Sequence, residues 1–312
     1  MKIYLKQDWY TYLDVEAIAN RVELVGSADE ADFVISCCEF LDAPPEKTIM
    51  VASEPPVFPG GDLARIHDTA DRYHAFFYWN ADDHPNATPF PVNVLSWPYD
   101  NMLSSREVRD DTTITERRVY FAGRRAEREK SVYPGRISLY KTRRKIAEEL
   151  PGRGIPVTAV GRGWDVVSRS GEDLDVNMYM SRMDKLLEVS ECRADFILCV
   201  ENSYMSGYVT EKIHDGFRSD RVVLYLGTSD IEKYIPTTCF LDLRKWYDAG
   251  SGAFYVPGLV KYLKKMGQGE YDDIVGSARA WVKSLLGGAD YKDHSESKKL
   301  MSEAILSCLG VV

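Results

Sequence analysis

Phe196-Ile-Leu-Cys-Val-Glu201-Asn202-Ser203-Tyr-Met-Ser-Gly207-Tyr208-Val209-Thr210-Glu211-Lys212-Ile213-His-Asp-Gly-Phe217 holds most of what this chain says about its fold. Phe196–Val200 is an unbroken apolar run, the pattern of a strand covered on both faces in a parallel sheet. Glu201-Asn202-Ser203 stands at its carboxyl end, where open α/β sheets place ligands. A short loop with Gly207 follows. Thr210 is placed to cap a helix whose first turn holds Glu211 and Lys212. Ile213 and Phe217, four apart, give that helix an inward face. A helix start after a strand offers free N–H groups to an anion. Lys212 adds a point charge there, and Glu211 is an acceptor for sugar or ribose hydroxyls.

The rest of the chain repeats this strand-then-helix alternation. Upstream, Met1–Leu5, Arg21–Val25, Asp32–Cys37, Thr48–Ala52, Arg72–Trp79 and Val92–Trp97 read as strands, with a short helix at Asp14–Ala19. A polar stretch, Asn101–Glu116, is the best linker. A second series follows: strand Arg118–Ala122, helix Ser138–Leu150 stopped by Pro151-Gly152, strand Val157–Val160 and helix Met183–Ser190. After Phe196–Phe217 come strands Val222–Leu226 and Cys239–Leu243, then a helical tail of Gly258–Met266, Tyr271–Leu286 and Glu296–Leu309. Two consecutive α/β halves predict a pair of Rossmann-like domains facing a cleft. The aromatics Tyr73, Phe76, Phe77, Tyr78 and Trp79 are too dense for one exposed face and read as core.

Composition narrows the function. The chain has 312 residues, which suggests two domains at roughly 100–200 residues each. Its net charge of −9 opposes general binding to nucleic acid or anionic membrane. No apolar run approaches the roughly 18–20 residues of a membrane span. The N-terminus alternates and reads as a strand, not a signal peptide. Six scattered cysteines (Cys37, Cys38, Cys192, Cys199, Cys239, Cys308) form no C-x-x-C pair, which fits reduced, mostly buried thiols in a cytoplasmic protein. Five histidines form no H-x-x-x-H, so no zinc site is expected. Asp173-Leu-Asp175 has metal–nucleotide spacing, but such triplets are common in acidic chains. One segment departs from the acidic balance: Arg117–Lys145 holds eleven Lys/Arg against Glu127 and Glu129. It reads either as a solvated helix face or as a site for a compact polyanion such as a diphosphate. Gly161-Arg-Gly163 follows a strand and reads as a turn near such a ligand.

Glu201-Asn202-Ser203 followed by Gly207-Tyr208-Val209-Thr210-Glu211-Lys212-Ile213 resembles the signature of glycosyltransferase family 10, the α1,3/4-fucosyltransferases. The resemblance continues through Val222-Val-Leu-Tyr225-Leu-Gly227, Tyr234-Ile-Pro236 and Cys239-Phe240-Leu-Asp242. It covers about Arg143 to Asp242, roughly a third of the chain. Val223 and Leu226 stand where the family commonly has Pro and Trp.

The resemblance implies a GT-B architecture with an acceptor domain over 1–110, a donor domain over 117–290 and a final helix, 291–312, returning to the first domain. It implies an inverting transfer of L-fucose from GDP-β-L-fucose to a glycan hydroxyl, α1,3 in type, with no obligatory metal or cofactor. Lys212 would contact the donor diphosphate and Glu211 the donor, with Asn202 and Tyr208 lining the pocket. A donor arginine on the first helix of the domain falls on Arg143, spaced from Ile146 and Leu150; Arg144 and Arg136 stand as alternatives. The catalytic base would be Glu54 in Val51-Ala-Ser-Glu-Pro-Pro, with Pro55 in place of the family's serine. A transferase using another nucleotide sugar, or a non-catalytic nucleotide- or glycan-binding module, remains an alternative.

Overall fold

Thr48–Ala52 is a strand along its whole length in the computed structural model, and all five of its residues are buried. Residues 1–6, 13–37, 43–52, 62–78, 87–89, 112–123, 137–161, 163–164, 193–287 and 294–311 are described by the structure. The chain divides into two units. The first comprises Met1–Asp100, Ser131–Pro134 and Asp290–Val312; the second comprises Asn101–Lys130 and Gly135–Ala289.

In the first unit, Thr48–Ala52 is β4 of a six-stranded sheet. Its companions are β1 (Lys2–Leu5), β2 (Glu23–Leu24), β3 (Phe33–Cys37), β5 (Ala75–Tyr78) and β6 (Ala87–Pro89), in the order β2-β1-β3-β4-β5-β6. Every pairing is parallel. The alternation of β4 explains its unbroken hydrophobicity. Ile49 and Val51 join a core with Ile3, Leu5, Ile18 and Ile35, closed by Met301, Ile305 and Leu306 of the C-terminal helix His294–Cys308 and by Leu309 just after it. Met50 and Ala52 face the other way, with Phe76, Tyr78 and Ile66 of the helix Asp62–Asp68. A strand covered on both sides must be apolar at every position. The short helix α1 (Val15–Ala19) starts at Asp14, whose side chain accepts from the Ala17 N–H at 3.0 Å. The Asp14 N–H donates to Ser302 Oγ on the C-terminal helix at 2.8 Å.

The second unit repeats the plan. Its strands are β7 (Val119–Ala122), β9 (Val157–Val160), β10 (Phe196–Val200), β12 (Val222–Leu226) and β13 (Leu241–Asp242), ordered β13-β12-β10-β7-β9 and all parallel. In both units the first strand lies between the second and the third. This doubly wound order reverses direction between first and third strands and opens a crevice at their carboxyl ends. Two Rossmann-like α/β units in one chain is the make-up that the GT-B architecture requires.

Several boundaries differ from the sequence expectation. The helix Tyr140–Gly152 takes Pro151 and Gly152 into its last turn before ending at Arg153. Cys239–Leu243 is not one strand: a 3₁₀ turn, Thr237–Cys239, precedes the two-residue β13. The end of the expected linker is pinned to the second unit, with the Thr115, Glu116 and Arg118 N–H groups all donating to the Asp195 carboxylate. Phe76, Phe77 and Tyr78 are core as expected. Cys199 and Cys239 are buried free thiols, but Cys308 is exposed. Val92–Trp97, Trp79 and Met183–Ser190 lie outside the described residues. None of the described helices is long and apolar enough to cross a membrane.

Candidate functional site

At the reversal point of the second sheet, β10 ends and Glu201 begins the loop. The Glu201 N–H still donates to Leu226 O at 2.8 Å, so its backbone extends the ladder toward β12. The next residues turn to the opposite side. Leu139 N–H donates to Asn202 O at 2.9 Å, and Ser203–Tyr204 pairs antiparallel with Ile137–Ser138. These two-residue strands, β8 (Ile137–Ser138) and β11 (Ser203–Tyr204), set the start of helix Tyr140–Gly152 beside the end of β10.

Arg143 turns inward from that helix. It is 4% exposed, packs over the Tyr140 ring at 4.0 Å, and donates from Nη1 to Asn202 Oδ1 at 3.2 Å. Burial pushes its pKa down, and the nearby Tyr140, Tyr208 and Glu201 oppose that shift. The neighbouring basic residues have surface roles. Arg144 lies 3.7 Å from Glu148, and Lys145 is bonded to Phe254 O. Arg117 donates to Leu263 O and Met266 O. The basic segment is therefore mostly a solvated or structural face among the described residues, with Arg143 directed into the site. Arg136 lies outside them.

The loop returns through Gly207, which adopts a positive φ of 73°. Tyr208 and Val209 are buried. Thr210 precedes the helix Glu211–Phe217 but does not cap it with its side chain. Its hydroxyl instead donates to Glu201 Oε2 at 2.6 Å, and its N–H donates to Glu201 Oε1 at 2.8 Å. Lys212 Nζ lies 2.9 Å from Thr210 Oγ1, 3.1 Å from Glu201 Oε2 and 3.4 Å from Glu211 Oε1. Ile213 and Phe217 are buried, the inward face their spacing predicts. The helix has only seven residues, so its dipole is short and the charge at this end comes from side chains.

The sequence reading passed over Glu201. It is fully buried at 0% exposure. Tyr225 Oη approaches its carboxylate at 3.5 Å, and burial together with that charge raises the Tyr225 pKa. Gly227 leaves the space Glu201 occupies: a Cβ there would sit 2.3 Å from Glu201 Cγ and 2.5 Å from Tyr225 Oη. Asp230 was also passed over. It accepts from the Gly207 N–H, Ser206 Oγ and Thr228 Oγ1, and so fixes the loop. On the other flank, Gly161 has φ 118°, and a Cβ there would meet Gly123 O at 2.7 Å. Trp164 Nε1 donates to the same carbonyl at 2.8 Å, so this turn closes the carboxyl edge beside β7.

The site thus brings together Arg143, Asn202, Tyr208, Glu211 and Lys212, with Glu201 beneath them. Two cations and two carboxylates at a reversal point form a polar crevice suited to a charged ligand with hydroxyl groups. Glu54 lies outside the described residues; the described strand β4 ends two positions before it. Among the described residues no three His, Cys, Asp or Glu gather as metal ligands. Asp173 and Asp175 lie outside them.

Residues 132–270 match the family model described as glycosyltransferase family 10 (fucosyltransferase) C-term. This stretch is similar to the glycosyltransferase family 10 domain. It takes in the site residues from β8 and Arg143 through Lys212 to Asp230. The chain carries a glycosyltransferase unit, and the match reaches beyond the Arg143–Asp242 resemblance at both ends. Two solved α1,3-fucosyltransferase structures are similar to the chain. One is 15% identical over 94% of this chain and 92% of that one, with a TM-score of 0.46. The other, with GDP-fucose, is 16% identical over 99% and 90%, with a TM-score of 0.47. A wall teichoic acid polymerase variant is 12% identical over 99% and 89%, with a TM-score of 0.41. A comparison with curated proteins gives no match. The similarity to family 10 rests on the matched stretch and on the motif residues it contains.

Proposed function

We propose that the chain is an inverting fucosyltransferase that moves L-fucose from GDP-β-L-fucose to a glycan hydroxyl, α1,3 in type. The observation that carries this reading is the convergence of Arg143, Asn202, Tyr208, Glu211 and Lys212 at one carboxyl edge within the matched domain. In this reading Lys212 and Arg143 meet the donor diphosphate. As the glycosidic bond to the anomeric carbon breaks, charge builds on the leaving phosphate oxygen, and fixed cations stabilise it most at that moment. That role needs no metal. Glu211, partly exposed beside Lys212, accepts from donor hydroxyls.

In this reading the first unit supplies the acceptor side. Glu54, just past the carboxyl end of a central parallel strand, takes the proton of the attacking hydroxyl. Attack on the face opposite the leaving diphosphate inverts the anomeric centre. Such a protein works in the cytoplasm, where GDP-sugars are made.

The test is transfer from GDP-fucose by wild type and Glu54→Gln, with other nucleotide sugars in parallel. Wild type transfers fucose, and the variant loses on the order of 10²–10⁴ in rate while still binding GDP. Turnover of another nucleotide sugar in preference to GDP-fucose overturns the donor; a Glu54→Gln variant at near wild-type rate overturns the base.

A further inference from the structure

A carboxylate removed from water is costly unless charged and hydrogen-bonding groups compensate it. Glu201 has no contact with solvent, and its surroundings allow little movement. The Thr210 N–H and Oγ1 hold one oxygen each, at 2.8 and 2.6 Å. Tyr225 stands on the same oxygen as the Thr210 N–H, and the bare Cα of Gly227 packs against Cγ. Lys212 is the opposite kind of group: a long flexible stem that remains 17% exposed. Left alone, its ammonium would sample many positions, and fixing it on a ligand would cost conformational entropy.

We infer that Glu201 is a positioning residue for Lys212. It holds the ammonium at one point on the carboxyl edge of β10, directly at 3.1 Å and through Thr210 Oγ1. That hydroxyl donates to Glu201 and accepts from Lys212, so it relays the same constraint. The inference rests on Lys212 being the diphosphate contact. It assigns separate work to the two carboxylates beside Lys212. Buried Glu201 stays on the ammonium, whereas Glu211, 27% exposed, is able to turn toward the donor. Tyr225 and Gly227 both shape the pocket of Glu201.

A carboxylate that only closed the 201–210 loop would affect ligand binding whether or not Lys212 were present. One that acts through Lys212 would not. The test is a double-mutant cycle of Glu201→Gln and Lys212→Met, read as GDP affinity by calorimetry. Each single change weakens GDP about tenfold or more, and the double variant binds no more weakly than Lys212→Met alone. Thr210→Val keeps the backbone N–H but deletes the relay, and it also weakens GDP; Thr210→Ser restores wild-type affinity. If Glu201→Gln does not fold, the Thr210 pair decides. Additive losses in the cycle, or a Thr210→Val variant that binds GDP like wild type, overturn the positioning role alone. A Lys212→Met variant that binds GDP like wild type overturns the donor reading and this inference with it.

Discussion

Arg143 Nη1 donates to the side-chain oxygen of Asn202 at 3.2 Å, across 59 positions of sequence. This bond ties the helix that follows the first strand of the second sheet to the end of its third strand. Those are the two strands between which the sheet reverses, so the bond lies across the mouth of the crevice.

Arg143 is therefore distinguishable from its neighbour. Arg143→Ala removes a buried cation and weakens GDP binding by about 1.5–3 kcal/mol, with a lower melting temperature. Arg144→Ala removes a surface partner of Glu148 and leaves both within about 0.5 kcal/mol. Calorimetry and thermal melting check the pair. A silent Arg143→Ala beside an Arg144→Ala variant that loses GDP binding would shift the donor arginine by one position.

Gly227→Ala places a methyl group against Glu201 and Tyr225, and the fold has no free space to absorb it. Overpacking of this kind costs about 1–3 kcal/mol. GDP affinity falls with it, because Glu201 must move. Gly276, inside the helix Gln268–Leu286, has nothing within 4 Å of an added Cβ. Gly276→Ala stabilises by about 0.4–1 kcal/mol. Urea unfolding of the two variants reads both signs.

Much of the fold was legible because its strands are buried on both faces. Thr48–Ala52, Val157–Val160, Phe196–Val200 and Val222–Leu226 match the apolar runs residue for residue. The two-residue pair Ile137–Ser138 and Ser203–Tyr204 was not legible, since such short strands leave no period. Pro151 and Gly152 were read as a stop, yet a helix tolerates them in its last turn. The gathering of Asn202, Tyr208, Glu211 and Lys212 was legible because their motif is local, and Arg143 because its spacing from Ile146 and Leu150 marks the inward face of its helix. Glu201 was quoted within the same motif but had no assigned role. Its environment comes from Thr210, Tyr225 and Gly227, and only the folded sheet brings these together. Thr210 looked like a helix cap, but a buried carboxylate takes its hydroxyl instead.

Asp230 carries a pH signature. Burial raises its pKa, but hydrogen bonds from Thr228, Gly207, Ser206 and Lys233 outweigh that and hold it well below the ordinary carboxylate range. A depressed folded-state pKa contributes stability above the unfolded pKa and loses it as pH falls through the folded value. Asp230→Asn therefore melts lower than wild type at pH 7, and the gap narrows as pH drops below about 4. A gap that stays constant from pH 7 to pH 2.5 would contradict this assignment.

Chelation separates the charge-based leaving-group account from a metal-assisted one. With Lys212 and Arg143 meeting the diphosphate, transfer measured in excess EDTA keeps most of its rate. Complete loss on chelation, restored by Mn²⁺, would bring Asp173 and Asp175 into the site.

The most direct measurement is a crystal structure of the protein with GDP. The account predicts the diphosphate at the carboxyl edge between Val119–Ala122 and Phe196–Val200, with phosphate oxygens within hydrogen-bond reach of Lys212 Nζ and the Arg143 guanidinium. Glu201 would still hold Lys212, and Glu211 would be turned from it. A diphosphate bound elsewhere, with Lys212 enclosed by Glu201 and Glu211 as in the free protein, would contradict it.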